Sequence, residues 1–288
     1  MFVAPTLRAR LKAFGSLILT GFKEWVRDRC SNLAAAMSYN LMLAIAPFVG
    51  VALWLADRIL GSEWTQAAVY PLLLAWFGPR WAELLRFLLS RTADMEPHRL
   101  FAVGVLAAFG LIFGASGFFL QLQDALETVW DVRREVALVA VQLRKHVLGL
   151  GYAVVSAIIA FAGMSIGAEI LAVSHSMRSR AAAAGIVWVG GGVVAFLTFW
   201  ALMVFWLKLL PPVRLTWTQV MPWAALTAAF HLAGVQSLRW IVRHDPSTSL
   251  VESLVMLLLW FYYASAVFLY GAELMRIWLQ RHQTIARK

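Results

Sequence analysis

Several runs of this sequence are apolar over a length that crosses a lipid bilayer. A transmembrane helix needs about 20 predominantly apolar residues. Six runs meet that requirement and are predicted as spans, at about 33–56, 100–122, 147–173, 181–207, 219–240 and 250–275. The pattern predicts an all-α fold, a polytopic integral membrane helical bundle of six transmembrane helices with additional amphipathic and interfacial helices.

The overall composition supports this class. Hydrophobic residues make up 61% of the 288 residues and charged residues only 14%, whereas soluble domains contain about half and a quarter. The net charge of +10 is interpreted as the excess of Lys and Arg typical of cytoplasmic segments. Nucleic acid is not predicted as a partner, because no basic block is interleaved with stacking aromatic residues.

The positions of the basic residues orient the six spans. With the N-terminus in the cytoplasm, sixteen of the 25 Lys and Arg residues fall in cytoplasmic segments, and all five lysines are among them. The positive-inside rule therefore places both termini in the cytoplasm.

The segments between the spans are predicted to belong to one membrane domain, residues 1–288. Residues 1–32 have the basic and apolar faces of a cytoplasmic interfacial helix. Residues 57–99 are strongly apolar but interrupted by Pro71, Gly78 and Pro79. They are interpreted either as outer-side or re-entrant helices or as a pair of further short spans; each half is short for a crossing, which favours the first interpretation.

The stretch GASGFFLQLQDALETVWDVRRE, residues 114–135, leaves the second span without a Gly or Pro to stop the helix. Its apolar positions continue in helical steps, and polar residues occupy the opposite face. The apolar set is Phe118, Leu122, Ala125, Val129 and Val132, and the polar set is Gln121, Asp124, Thr128, Asp131 and Glu135. Residues 123–146 are therefore predicted to form a cytoplasmic amphipathic segment, whose first helix caps the bundle.

Ionisable side chains near the spans need partners, because an unpaired charge in lipid is costly. Arg239 and Glu252 lie on either side of a short turn and are candidates for an ion pair that joins two helices. Glu273 and Arg276 are three residues apart, a spacing that favours an intrahelical pair. His231, in the middle of the fifth span, is interpreted as a hydrogen-bonding partner between helices or as part of a polar path.

No sequence pattern points to an enzyme. The six histidines are scattered and Cys30 is the only cysteine, so no metal-ligand spacing is present. Nucleophile elbows, phosphate loops and dinucleotide turns are also absent from the sequence. We therefore predict no catalytic residue, no metal and no cofactor.

Three segments together resemble the YihY/virulence-factor BrkB family of bacterial inner-membrane proteins. They are DRCSNLAAAMSYNLMLAIAPF (residues 28–48), the stretch at 114–135 described above, and LPPVRLTWTQVMPWAALTAAFHLA (210–233) followed by SLVMLLLWFYYASAVFLYGAELMR (253–276). The last segment, with its LLLW-x-YY and GAEL-x-R pattern, is the most specific. The resemblance covers roughly residues 22–278.

The resemblance implies six spans in the bacterial inner membrane with both termini inside. It also implies a role as a transporter or envelope protein, in some members connected with lipids. An older ribonuclease label of this family is not supported, since the sequence offers no metal site for such a reaction. Asn40 departs from the family pattern, which has an aromatic or apolar residue after Tyr39.

Two functions are predicted from these observations. The first is a transporter of a lipidic or amphiphilic, envelope-related substrate. Its path would be lined by polar and aromatic side chains, namely Tyr39, Asn40, Gln121, Asp124, His231, Tyr262 and Tyr263. The alternative is a non-transporting membrane scaffold for envelope-assembly proteins. The partners expected are membrane lipids, together with an envelope protein or a second copy of the chain.

Overall fold

A computed structural model describes residues 7–44, 97–132, 139–175, 180–244 and 250–286. Every regular element in these ranges is an α-helix, as predicted. The helices are α1 (Leu7–Arg27), α2 (described over 30–44), α3 (Pro97–Val129), α4 (Val139–His175), α5 (Arg180–Leu209), α6 (Trp217–His244) and α7 (Leu250–Ala286).

Three of these helices are long and apolar enough to cross a membrane. The candidate spans among the described residues are Val147–Gly167, Gly185–Leu209 and Leu254–His282. They fall on the predicted spans 147–173, 181–207 and 250–275, and the last extends further than predicted. The other three spans stay predictions. Residues 45–96 lie outside the described ranges, and they include the second half of the predicted span 33–56 and almost all of the 57–99 segment.

The helices from α3 to α7 form a ring. Each packs on the next in the chain, α7 also packs on α3, and α1 packs on α7. The buried core is concentrated where α1, the last turns of α3 and the second half of α7 meet, which we call the α1 end of the bundle. Its largest fully buried side chains include Leu126, Met203, Leu207 and Phe268.

Small residues bring two helix pairs close together. A Cβ atom added to Gly114 of α3 would lie 2.7 Å from Cα of Ala44 in α2, and one added to Gly163 of α4 would collide with Thr198 of α5. Gly167 and Gly191 have open space at the corresponding position. Of these four glycines, Gly114 and Gly163 make the close approaches between helices.

The end of α3 corrects one expectation. The amphipathic pattern predicts a helix through Glu135, but α3 ends at Val129, and the next helix begins at Val139. Asp131 has φ 51°, and the N–H groups of Asp131 and Val132 donate to the carbonyls of Thr128 and Glu127. This is a Schellman termination with aspartate in the left-handed position that glycine usually occupies. Aspartate tolerates that conformation because its short polar side chain hydrogen-bonds locally.

The buried side of α3 nevertheless follows the predicted stripe. Phe118, Leu122, Ala125 and Val129 are all buried, whereas Asp124 and Thr128 are exposed. The last turns of α3 therefore pack into the core at the α1 end.

The start of α6 follows its local sequence. Thr216 precedes the helix, its N–H donates to Oε1 of Gln219 over 2.8 Å, and the N–H of Gln219 donates back to the carbonyl of Thr216. The T-x-x-Q spacing places the Gln219 side chain within reach of the Thr216 N–H, which is one half of a helix capping box. This cap fixes the direction in which α6 enters the bundle.

Candidate functional site

The guanidinium group of Arg276 is the centre of a charged cluster at the α1 end. Its Nη2 lies 2.8 Å from Oε2 of Glu24, its Nη1 lies 3.7 Å from Oδ2 of Asp28, and its Nε lies 3.5 Å from Oε2 of Glu273. Nη1 also donates a hydrogen bond to the carbonyl oxygen of Val129. The Arg276 side chain is buried and contacts four different parts of the chain.

Local structure explains how these groups meet. Glu273 and Arg276 share one face of α7 because they are three residues apart. Arg29, with φ 52°, turns the chain between α1 and α2 and thereby directs Asp28 toward α7. The carbonyl of Val129 belongs to the last turn of α3, where carbonyls have no partner within the helix and the helix dipole is negative. A buried cation at this position stabilises the end of α3.

A second arginine covers the cluster on its exposed side. Arg27 is 62% exposed, and its guanidinium lies 2.5 Å from Oε2 of Glu24 and 3.1 Å from Oδ1 of Asp28. Ion pairs that are exposed in this way contribute little free energy, about 0–1 kcal/mol. The contribution of Arg27 is therefore mainly to balance the charges of two carboxylates at the edge of the core.

Cys30, the first residue of α2, lies beside the cluster and is fully buried. Burial raises the pKa of its thiol to about 12, and the nearby carboxylates of Glu273 and Asp28 add to this effect. The thiol is therefore protonated at neutral pH and is a poor nucleophile. Cys30 acts as a small packing residue between α1 and α2.

Four of the predicted path residues lie on α2 and α3. Tyr39 is 61% exposed, and Asn40 is half-buried with its Nδ2 donating to the carbonyl of Ala36 over 3.1 Å. The side chain of Asn40 faces Gly117 of α3, so the residue that departs from the family pattern lies at the contact between α2 and α3. Gln121 and Asp124 follow on α3, half-buried and exposed respectively.

The other three path residues lie on α6 and α7. His231 is 2% exposed, and its Nδ1 lies 2.9 Å from the carbonyl oxygen of Thr227. Its ring lies between Phe199 of α5, 5.7 Å away, and Tyr263 of α7, 6.4 Å away. The hydroxyl of Tyr263 donates to the carbonyl of Phe230 over 2.6 Å. Tyr262 is half-buried and packs against the hydrophobic core.

The predicted pair of Arg239 and Glu252 lies outside the side chains that the structure describes. The predicted pair of Glu273 and Arg276 is part of a larger arrangement than the sequence indicated, because Glu24, Asp28 and Val129 were not among the candidate residues. One signal was present in the sequence: Glu24 and Asp28 are four residues apart, and Asp28 is the first residue of the first resemblance segment.

The three segments that carry the family resemblance meet at this cluster. Asp28 comes from the first segment, Val129 from the second, and Glu273 and Arg276 from the GAEL-x-R end of the third. Together with the all-helical fold and the three helices suited to cross a bilayer, this arrangement defines a helical integral membrane protein. Among the described residues, no group of three or more His, Cys, Asp or Glu side chains is placed to hold a metal ion.

The family model described as "Virulence factor BrkB" matches residues 21–288, and the chain belongs to that family. A curated relative, a "UPF0761 membrane protein" of Alcanivorax borkumensis, is 24% identical over 289 residues. The alignment covers 95% of this chain and 62% of the relative, so the chain spans less than two thirds of that protein's length. No solved structure matches the chain.

Proposed function

We propose that this chain is a transporter that moves a lipidic or amphiphilic, envelope-related substrate in the bacterial inner membrane. In the proposed topology one membrane domain crosses the bilayer six times with both termini in the cytoplasm, and the α1 end faces the cytoplasm. The distribution of Lys and Arg supports this orientation.

The buried position of His231 is the observation that carries the proposal. Ionisable residues within membrane spans are rare and usually mark substrate or proton paths. His231 of α6 points into the contact between α5, α6 and α7. Two buried hydroxyl groups lie on these helices, Thr227 on α6 and Ser265 on α7. Its other neighbours are the rings of Phe199 and Tyr263.

This mixture of groups suits an amphiphile better than a small ion. Sites for such molecules combine a few polar groups, which orient the ligand, with apolar and aromatic walls. The hydroxyl and imidazole groups would bind the polar part of the substrate, and the aromatic rings would contact its apolar part.

The proposal is tested with purified protein in liposomes that contain a fluorescent phospholipid. Lipid movement is measured as the fraction of label that an impermeant quencher reaches over time. We expect the protein to accelerate movement, and His231→Phe to slow it about tenfold, a loss of about 1.4 kcal/mol in transition-state stabilisation.

The control variant is His282→Phe. Nδ1 of His282 likewise lies 2.8 Å from an i−4 carbonyl oxygen, that of Trp278, but His282 is exposed near the end of α7. This variant should leave lipid movement unchanged. Equal rates in empty and protein-containing liposomes, over a panel of labelled lipids and amphiphilic solutes, would contradict the transporter proposal.

A scaffold for envelope-assembly proteins is the second candidate, and one observation favours it. Outside the candidate spans, α1 exposes a row of large apolar side chains, Leu19, Phe22 and Val26, spaced by three and four residues. Such an exposed stripe is typical of a helix that binds a partner or the membrane surface. Capture of a stoichiometric envelope protein, together with absence of lipid movement, would favour the scaffold.

A further inference from the structure

The charged cluster at the α1 end contains one more carboxylate than its arginines neutralise. Arg276 and Arg27 both contact Glu24 and Asp28, so two guanidinium groups balance two carboxylates. Glu273 is the third acid. Its only ion-pair contact in the described structure is at 3.5 Å to Nε of Arg276, which is longer than a hydrogen bond between charged groups.

Glu273 is also the most deeply buried of the three acids. It is 0% exposed, and neither of its carboxyl oxygens has a hydrogen-bond partner among the described residues. A charged carboxylate in such a place would lose its hydration without compensation, at a cost of several kcal/mol. A neutral carboxyl group in the same place avoids that cost.

A carboxylate oxygen of Asp28 also lacks a hydrogen-bond partner among the described residues. This oxygen, Oδ2, is buried. It lies beside the same guanidinium as Glu273, because Nη1 of Arg276 is 3.7 Å from Oδ2 of Asp28 and Nε is 3.5 Å from Oε2 of Glu273. One proton placed between them turns an unpaired acceptor into a donor and satisfies an oxygen on each side. Paired carboxyl groups that share a proton are a known solution to this geometry.

We propose that Asp28 and Glu273 form a proton-binding site, in which a single proton joins the turn between α1 and α2 to α7. Release of the proton leaves an excess negative charge in the core and separates these two parts of the chain. The site requires no transported substrate, so its test is independent of the test of the transporter proposal.

Charged and polar groups face this site from the helices packed around it. Arg276 of α7 and Arg27 of α1 favour the ionised form, and Glu24 of α1 opposes it. The carbonyl of Val129 at the end of α3 also opposes it, because helix C-termini carry partial negative charge. The thiol of Cys30 on α2 is buried beside the site and is uncharged at neutral pH. Arg276 donates its hydrogen bonds to Val129 and Glu24. Of the three acids, Glu273 therefore has the least of its negative charge balanced by a cation.

Glu273→Gln and Glu273→Ala together test the site. Glutamine copies the size and the hydrogen-bond donor of a protonated carboxyl group, whereas alanine leaves a cavity. The melting temperature of the full chain in detergent is followed by tryptophan fluorescence from about pH 6 to about pH 9. Glu169→Gln, at an exposed acid of α4, is the control.

We expect the wild-type melting temperature to fall as the pH rises through this range. The folded protein holds a proton that the unfolded chain has released, and stability decreases with pH wherever the folded state binds more protons. Glu273→Gln should remove this decrease and be at least as stable as wild type at the alkaline end. Glu273→Ala should be less stable at every pH, and Glu169→Gln should follow wild type.

Two outcomes would overturn the proposal. If Glu273→Gln lowers the melting temperature as much as Glu273→Ala throughout the range, Glu273 acts as a charged partner of Arg276. If replacing choline chloride with sodium chloride at equal ionic strength raises the melting temperature of wild type but not of Glu273→Gln, the site binds a metal cation and not a proton.

Discussion

Replacing Arg276 with methionine is expected to lower the free energy of unfolding by about 3–5 kcal/mol, the cost of removing one partner from a buried ion pair. Methionine replaces the aliphatic part of the side chain and removes the charge and all donors. Glu24 and Asp28 then lose their buried partner, and the carbonyl of Val129 loses its donor. The variant should unfold at a markedly lower concentration of denaturing detergent than wild type.

Arg281→Met is the matched control for this prediction. Arg281 lies on the same helix and also reaches α1, but its partners are the neutral hydroxyls of Ser16, at 3.3 Å, and Thr20, at 3.2 Å. Because both bonds are long and at least partly exposed, their loss should cost about 0.5–1.5 kcal/mol each, the range of ordinary protein hydrogen bonds. Arg276→Lys should recover part of the stability, since lysine keeps the charge without the planar fork of donors. Equal losses for Arg276→Met and Arg281→Met would contradict the central position of Arg276.

Replacing Trp206 with alanine is expected to cost about 3 kcal/mol, the lower end of the range for this substitution because the side chain is only partly buried. Trp206 of α5 joins three other helices of the ring. Its ring lies edge-on to Phe118 of α3, at 5.9 Å, and to Phe268 of α7, at 5.8 Å. Its Nε1 donates to Oγ of Ser156 on α4 over 2.9 Å.

Two milder variants separate the contributions of Trp206. Trp206→Phe keeps most of the aromatic packing and loses the hydrogen bond, and Ser156→Ala removes the same bond from the other side. Each should cost about 1 kcal/mol, well below Trp206→Ala. Thermal unfolding of the three variants in one detergent checks the order. A Trp206→Ala protein as stable as Trp206→Phe would show that the ring contacts contribute little.

The helices were predictable from the sequence because apolar length and composition decide which segments enter a bilayer. Runs such as 181–207 contain few charged residues. Lipid offers no hydrogen bonds to backbone N–H and C=O groups, so an apolar run in a bilayer forms a helix that satisfies them internally. The proximity of Glu273 and Arg276 could also be predicted, since a spacing of three on a helix is a local property.

Other features depend on information that a single sequence does not contain. Glu24 and Arg276 are separated by 252 residues, and their contact depends on how α1 packs on α7. The end of α3 was mispredicted because its stop signal is Asp131 in the left-handed conformation. Aspartate is also common on the polar face of a continuing helix, so the sequence alone favoured the longer helix.

The most direct measurement of the central claim is a double-mutant cycle between Glu24 and Arg276. That claim is that Arg276 holds α1, the end of α3 and α7 together through one buried charge network. Unfolding free energies are measured for Glu24→Gln, Arg276→Met and the double variant in mixed micelles. Residues in one ion-pair network usually show coupling energies of about 0.5–3 kcal/mol. We predict a double variant no less stable than Arg276→Met alone, and strictly additive losses would contradict the network.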